Sequence, residues 1–593
     1  MMVRNSPYFA FLMLFSFVVF VRIGLLFYGF GGLDEGSNQY LLMHGMEEPS
    51  FPLGFHFIFR FIGEPFGHSV LFYRCLSMTF IVSSAAALAY SAHTVIGNKA
   101  VSYIQFAIIP ILFSFMSIRW QSGGVLSYNS VTFAFINYFC ATMIMSTRPR
   151  FSGSAIWPVL AACLIFVAAT GRPPTGVLFL AIYVLMQGWR LAGGAPKRAV
   201  LNDVAIFLST LSVISALFLF FFWDTLKQSV VFFKLFAGSH HPPVKLLTAY
   251  LVLSIGFLTG SVARAFAATV VVTWVFRHIA LRYRFSLGLK KRGLGFLGGI
   301  LIVIPFAWSW VSFLHPERLT TDSRFLALSI MVPVVVGSFY ITRIRADKFR
   351  EIIQGVIFDR PYVQIYAICI AALFLWPMGA NSGPIQFSLL NMAPAGLLWS
   401  MTLYARTRPS KLRHALVLTA TLLLGVTAVL NVVMERSLPF GKSEFSVADS
   451  VSLSDAGPIL SHIRLNDNHN KWLKKLSEEL RKRGFDPKLD KIFYAIKGGG
   501  ALGSIGADSF GPFETWGLDP ASAHVYCVQL ENAPAENLRQ VFVVLTTVLD
   551  PITAGCISKR LIGTTVEQFA GPNDPRPKIF GPYNVRKRAN ISG

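Results

Sequence analysis

Apolar runs of about 20 residues, the length a helix needs to cross the hydrocarbon of a bilayer, recur from residue 8 almost to residue 433. Hydrocarbon offers no partner for a backbone N–H or C=O, so runs of this kind fold as helices that satisfy their own polar groups. The rest of the composition agrees, since 54% of the 593 residues are hydrophobic and only 14% are charged. A soluble globular domain carries about 25% charged residues. The first run, YFAFLMLFSFVVFVRIGLLFYGF, follows a single basic residue, Arg4, and has no small-residue cleavage site. It reads as a retained span and not as a removed signal peptide.

The formal charge of +24 raises the question of a nucleic-acid partner. The Lys and Arg residues, however, gather in short segments between apolar runs: TRPR at 147–150, Arg190 with Lys197 and Arg198, RHIALRYR at 277–284, KKR at 290–292, RIRADKFR at 343–350 and ARTRPSKLR at 405–413. Basic loops on one side of a membrane orient the spans and require no polyanion. No nucleic acid is expected.

With a cytoplasmic N-terminus, spans are expected near 8–30, 70–93, 101–118, 128–146, 154–171, 175–189 and 204–223. The stretch 246–281 is too long for one straight span; one crossing plus an interfacial helix keeps RHIALRYR cytoplasmic, whereas two crossings reverse everything downstream. The one-crossing reading is adopted. Spans near 294–313, 325–342, 361–379, 390–405 and 414–433 then bring the total to thirteen, and residues 434–593 lie opposite the N-terminus. The expected fold is thus a polytopic α-helical membrane domain over 1–433 and an extracytoplasmic α+β domain over 434–593, with a helix in NKWLKKLSEELRKRG and strands in IFYAI, HVYCVQL and QVFVVLTTVL. Cys527 and Cys556 could pair in an oxidising compartment, a point that spacing alone leaves open.

The first outer loop, 31–68, is too apolar for a solvated segment and suggests short interfacial helices. It opens with adjacent acids, Asp34 and Glu35. A carboxylate there can serve as a general base on a hydroxyl, or Asp34 can simply cap the helix that follows. The order of features resembles that of the polyprenyl-phosphate-sugar-dependent glycosyltransferases of the GT-C superfamily, in the protein-mannosyltransferase and aminoarabinose-transferase branch. It comprises an acid pair after the first span, the aromatic and Pro-containing stretch FPLGFHFIFRFIGEPFG, and Arg74 in VLFYRCLS opening the second span. Two departures stand out: Ser50, Phe51 and Pro52 occupy the place of the usual basic Pro-Pro element, and RWQSGGVLSYNS after the third span brings no second acid.

The resemblance implies a GT-C fold in a bacterial inner membrane, with Asp34 catalytic and Glu35 its companion. It implies a polyprenyl-phosphate sugar donor and a glycan or glycolipid acceptor on the outer side of the bilayer. Cations for the leaving phosphate would come from Arg119, Arg172 in TGRPPT, Lys234, His240, His241, Lys245 or Arg318, with Lys227 and Arg324 further candidates. Arg172 and Arg324 also border spans, where snorkelling accounts for a basic residue. Tyr128 and Asn129 are acceptor-side candidates, as is Trp516 in the Gly-rich run KGGGALGSIGADSFGPFETWGLD, which otherwise reads as turns between strands. In that run the Lys precedes the glycines and no GK[ST] follows, so a nucleotide loop is not expected. The segment WPMGANSGPIQF either closes the donor pocket or is a turn. No cofactor is required by these residues, and His240 with His241, lacking a nearby acid cluster, gives no support for a divalent metal. The alternative function is a transporter or flippase of lipid-linked saccharide, which would also need many spans and outer basic residues.

Overall fold

A computed structural model of the chain describes residues 6–28, 34–44, 54–97, 102–117, 126–147, 154–240, 243–264, 266–267, 271, 330, 361–377 and 390–404 of the N-terminal part. In the C-terminal part it describes 450–454, 457–487, 489–495, 508–509, 527, 531, 541–545, 555–556 and 578–580. The N-terminal part is mainly helical over these residues. Its elements are α1 (Ser6–Leu25), α2 (Asp34–His44), α3 (Gly54–Gly63), α4 (Val70–Ile96), α5 (Tyr103–Ser117), α6 (Tyr128–Ser146), α7 (Ile156–Gly171), α8 (Pro173–Ala192), α9 (Lys197–His240), α10 (Pro243–Phe257), α11 (Pro361–Phe374) and α12 (Ala393–Tyr404). Ten of these overlap the expected spans, and α2 and α3 are the short helices expected in the first loop. The spans expected at 294–313 and 414–433 lie outside the described residues, as does all of 325–342 except Ile330.

Among the described residues, Val70–Ile96, Pro173–Ala192 and Lys197–Asp224 are long and apolar enough to cross a membrane, and Phe15–Leu25, Tyr103–Phe115, Ile156–Gly171, Thr248–Val262 and Tyr362–Phe374 are shorter apolar stretches. The outward face of α9 carries Leu201, Val213, Leu217, Phe221 and Phe220, the last 79% exposed. Such a surface suits hydrocarbon and not water.

One difference from the expected layout concerns the end of α9. The helix leaves regular geometry at Phe222 (φ −121°, ψ 15°), where the span was expected to stop, and then continues to His240. The stretch LKQSVVFFKLFAGSH, which lies beyond the expected span of 204–223, is therefore helical. No Pro interrupts it and its first Gly is Gly238, so nothing in the local sequence halts the helix.

Helix α4 packs on both α5 and α6, α7 packs on α6, α12 lies on α5, and α11 joins α12 to α6. Phe106, Phe113, Phe133, Phe139, Phe179 and Trp376 fill the interior. Between helices in lipid, close approach matters more than the hydrophobic effect. Gly396 of α12 supplies it, because a Cβ there would lie 2.7 Å from Pro110 Cα and 2.9 Å from Phe113 Cβ of α5. Polar ties add to the packing: Asn137 Nδ2 donates to Asn391 Oδ1 (2.8 Å), and Asn391 Nδ2 donates to Asn137 Oδ1 (3.1 Å).

In the C-terminal part, β1 (Ser450–Leu453) pairs antiparallel with β2 (Arg464–Asn466), and α13 (Asp467–Lys482) follows directly. Trp472, Leu473, Leu476 and Leu480 form the buried stripe of α13, while Lys471, Lys474, Lys475 and Lys482 face outward, the division expected of an amphipathic helix. A second sheet has the order β4 (Asp508–Ser509), β3 (Lys491–Ala495), β5 (Val541–Leu545), β6 (Lys578–Phe580), with β3 parallel to both β4 and β5, and β6 antiparallel to β5. Cys527 and Cys556 are joined, with Cα atoms 5.4 Å apart. A helix is found in NKWLKKLSEELRKRG and strands at 491–495 and 541–545, whereas a strand over HVYCVQL is not seen at Cys527, which is helical.

Candidate functional site

The acid pair opens α2, whose first residue is Asp34. Glu35, the next residue, is buried at 4% exposure, and its carboxylate meets Arg74 in α4 through two hydrogen bonds: Nε to Oε1 at 2.6 Å and the second terminal nitrogen to Oε2 at 2.7 Å. Paired N–H bonds to both oxygens fix orientation as well as distance. The remaining terminal nitrogen of Arg74 donates to Leu26 O (2.7 Å) and Tyr28 O (3.1 Å), the carbonyls beyond the end of α1. One guanidinium therefore joins three chain segments: the end of the first helix, the acid helix and the second span. In the sequence Arg74 stands out only as the basic residue of VLFYRCLS.

Beneath α2, Asn38 Oδ1 and the buried His56 Nε2 of α3 are 3.1 Å apart, and Gln39 donates to the carbonyl of His68. His68 in turn is 2.9 Å from the Tyr73 hydroxyl. Helix α3 begins against the end of α7, where a Cβ on Gly54 would sit 3.0 Å from Thr170 Cβ and 3.1 Å from the Phe218 ring. That approach brings the loop helices to the same end of the bundle as Arg172.

Arg172 stands at a corner that the sequence dictates. Pro173 and Pro174 open α8, and a residue before Pro is driven out of the helical region, so Arg172 adopts φ −142°, ψ 93° and both ends α7 and starts α8. Its guanidinium is buried (6% exposed) and donates twice to Asn129 Oδ1, at 3.1 and 2.5 Å, and to Pro377 O at 3.4 Å. It lies 5.1 Å from the centre of the Tyr128 ring and 5.4 Å from that of Trp376. Neutral oxygens and ring faces hold a cation without cancelling its charge. Tyr128 and Asn129 are set by a capping box at the start of α6, in which Ser127 and Ser130 exchange side-chain to backbone bonds of 2.9 and 3.3 Å. Thr175 Oγ1 donates to Trp376 O at 2.6 Å and pins the same corner from α8.

The expected residues thus separate. Arg172, Tyr128 and Asn129, read as phosphate-side and acceptor-side candidates, meet in one cluster. Trp376 completes the cluster and was missed as a participant, although it opens the quoted segment WPMGANSGPIQF. Lys234 and His240 lie on the continued α9 and Lys245 on α10. Arg119, His241, Arg318 and Trp516 lie outside the described residues. Among the described residues no three His, Cys, Asp or Glu side chains converge as a metal site.

The chain is similar to the crystal structure of ArnT from Cupriavidus metallidurans in the apo state, over 96% of this chain and 98% of that one, with 12% sequence identity and a TM-score of 0.43. The crystal structure of the same protein bound to undecaprenyl phosphate covers 97% and 98%, with 12% identity and a TM-score of 0.41. No family model matches the chain, and no curated protein matches it.

Proposed function

We propose that this protein is a membrane glycosyltransferase of the GT-C kind, moving one sugar from a polyprenyl phosphate to a hydroxyl of an extracytoplasmic glycan or glycolipid, with Asp34 as general base. The observation that carries the reading is the fork between Glu35 and Arg74, which divides the labour of the acid pair. A carboxylate engaged at both oxygens by a buried guanidinium would have to break that fork to accept a proton. Glu35 anchors the helix, and its neighbour Asp34 takes the proton.

In the reaction, the acceptor oxygen forms a bond to the anomeric carbon while its proton passes to the Asp34 carboxylate. The bond from that carbon to the lipid phosphate oxygen breaks on the opposite face, and the electron pair leaves with the phosphate. The anomeric centre inverts. Arg172 supplies positive charge for the phosphate; its support is a buried guanidinium held by Asn129, Tyr128 and Trp376 at the end of the bundle that also receives the loop helices. Residues 1–433 form the catalytic membrane domain and 434–593 an outer domain in this reading.

The test uses purified full-length protein in lipid nanodiscs with a polyprenyl-phosphate sugar, following release of polyprenyl phosphate. Asp34→Asn is expected to lower turnover by about 10² to 10⁴, the usual range for loss of a positioned base. Wild-type turnover in that variant overturns the assignment of Asp34. In sealed proteoliposomes, movement of intact lipid-linked saccharide across the bilayer without phosphate release would instead identify a transporter.

A further inference from the structure

The C-terminal part touches the acid loop in two ways. The backbone N–H of Arg464, the first residue of β2, donates to Phe27 O at 2.7 Å, Tyr28 and Arg464 form a parallel bridge, and the Arg464 guanidinium lies 5.9 Å from the centre of the Tyr28 ring. In addition, Tyr40 and Leu41 of α2 and Val70 at the start of α4 are buried in one cluster with Ile459, Leu460, Ile463, Leu465 and Trp472. The turn at 26–28 is therefore held from two directions. Arg464 grips Phe27 and Tyr28 from the C-terminal part, and Arg74 grips Leu26 and Tyr28 from α4 while its fork holds Glu35.

We propose that Arg464 is a positioning residue for the acid helix: by clamping the 26–28 turn, the C-terminal part sets, through Arg74, where α2 and Asp34 stand. The proposal rests on the reading of Asp34 as the base. An isolated helix of 11 residues is marginal on its own, so α2 takes its position from what surrounds it. Those surroundings are the Arg74 fork at its start and the apolar seat under Tyr40 and Leu41 in its middle, and the C-terminal part bears on both. It acts as a support of the reaction centre, although 429 residues separate Arg464 from Glu35 in sequence (464 less 35). Small errors in the placement of reacting groups are costly, which makes such a support worth retaining.

The experiment measures hydrogen exchange of the α2 amides and steady-state turnover in full-length Arg464→Ala, Arg464→Lys, Tyr28→Leu and the Arg464→Ala/Tyr28→Leu double variant. Arg464→Ala is expected to raise exchange in α2 selectively and to lower kcat about two- to fivefold, the scale of one partly exposed cation–π contact, with the KM for donor unchanged. Arg464→Lys should retain most of the rate. The double variant should be no worse than the poorer single variant, as two residues acting through one contact require. Unchanged exchange in α2, an equal rise in α2 and in the Tyr128–Ser146 helix, or additive losses in the double variant would each overturn the proposal. If Asp34→Asn keeps full activity, the assignment of the base fails while the exchange measurements still decide the role of Arg464.

Discussion

Arg74 and Glu35 are 39 residues apart in sequence and meet through two bonds of 2.6 and 2.7 Å in a site that excludes water from both. Removing one member of a buried pair leaves the other charged and without its counterion, which costs about 3 to 5 kcal/mol. Glu35→Ala is therefore expected to lower the thermal midpoint in detergent and to abolish transfer. Arg74→Lys keeps the charge and loses the fork, so it should fall between wild type and Arg74→Ala. Equal midpoints for all of these variants would remove the anchoring role.

Arg172 offers a second test, because its charge and its planar shape have different jobs. Lysine at this position keeps the charge but loses the paired bonds to Asn129 and the stacking on Tyr128 and Trp376. We expect Arg172→Lys to raise the KM for the lipid-phosphate donor about tenfold, one power of ten for each ~1.4 kcal/mol lost. Titration of the variant with polyprenyl phosphate as a competitive inhibitor gives the check: an unchanged inhibition constant would separate Arg172 from the phosphate.

Ser127 fixes the start of α6, and with it the backbone that carries Tyr128 and Asn129. Ser127→Ala should cost about 1 kcal/mol of helix stability by deleting the cap. Ser127→Thr retains the hydroxyl and should behave as wild type. The measurement is thermal unfolding, with donor KM as a second readout of how firmly Tyr128 and Asn129 are held.

Gly396 permits α12 to lie against Pro110 of α5, and any larger side chain collides with backbone there. Overpacking of this kind costs about 1 to 3 kcal/mol. Gly396→Val is expected to lower the yield of folded protein and its thermal midpoint more than Gly256→Val does, since Gly256 has no neighbour within 4 Å of an added Cβ. Equal effects at the two positions would count against tight packing of α12 on α5.

How much of this was legible in the sequence depends on how local each feature is. The spans are visible because apolar length is written residue by residue. The corner at Arg172 is visible because Pro173 and Pro174 force it, and Ser127 with Ser130 marks the start of α6. The partners of Arg172 across the fold are another matter: 205 residues separate it from Pro377, and no periodicity or spacing reports a contact of that range. Glu35 as an anchor was equally hidden, since a pair of adjacent acids looks the same whether both act or one is tethered. The end of α9 differs for a simpler reason: the expected span closes at 223, where the apolar run ends, although no helix-breaking residue stands there.

The amide pair of Asn137 and Asn391 carries a consequence for biosynthesis. Its two members are 254 residues apart, so the first enters the membrane long before the second has been made. Until then α6 holds a polar carboxamide in an apolar interior, where an unmet hydrogen bond is expensive. A chain cut short before residue 391 keeps that amide unanswered. The nascent protein thus bears, in its first quarter, a chemical mark of incompleteness that is erased only when residue 391 arrives.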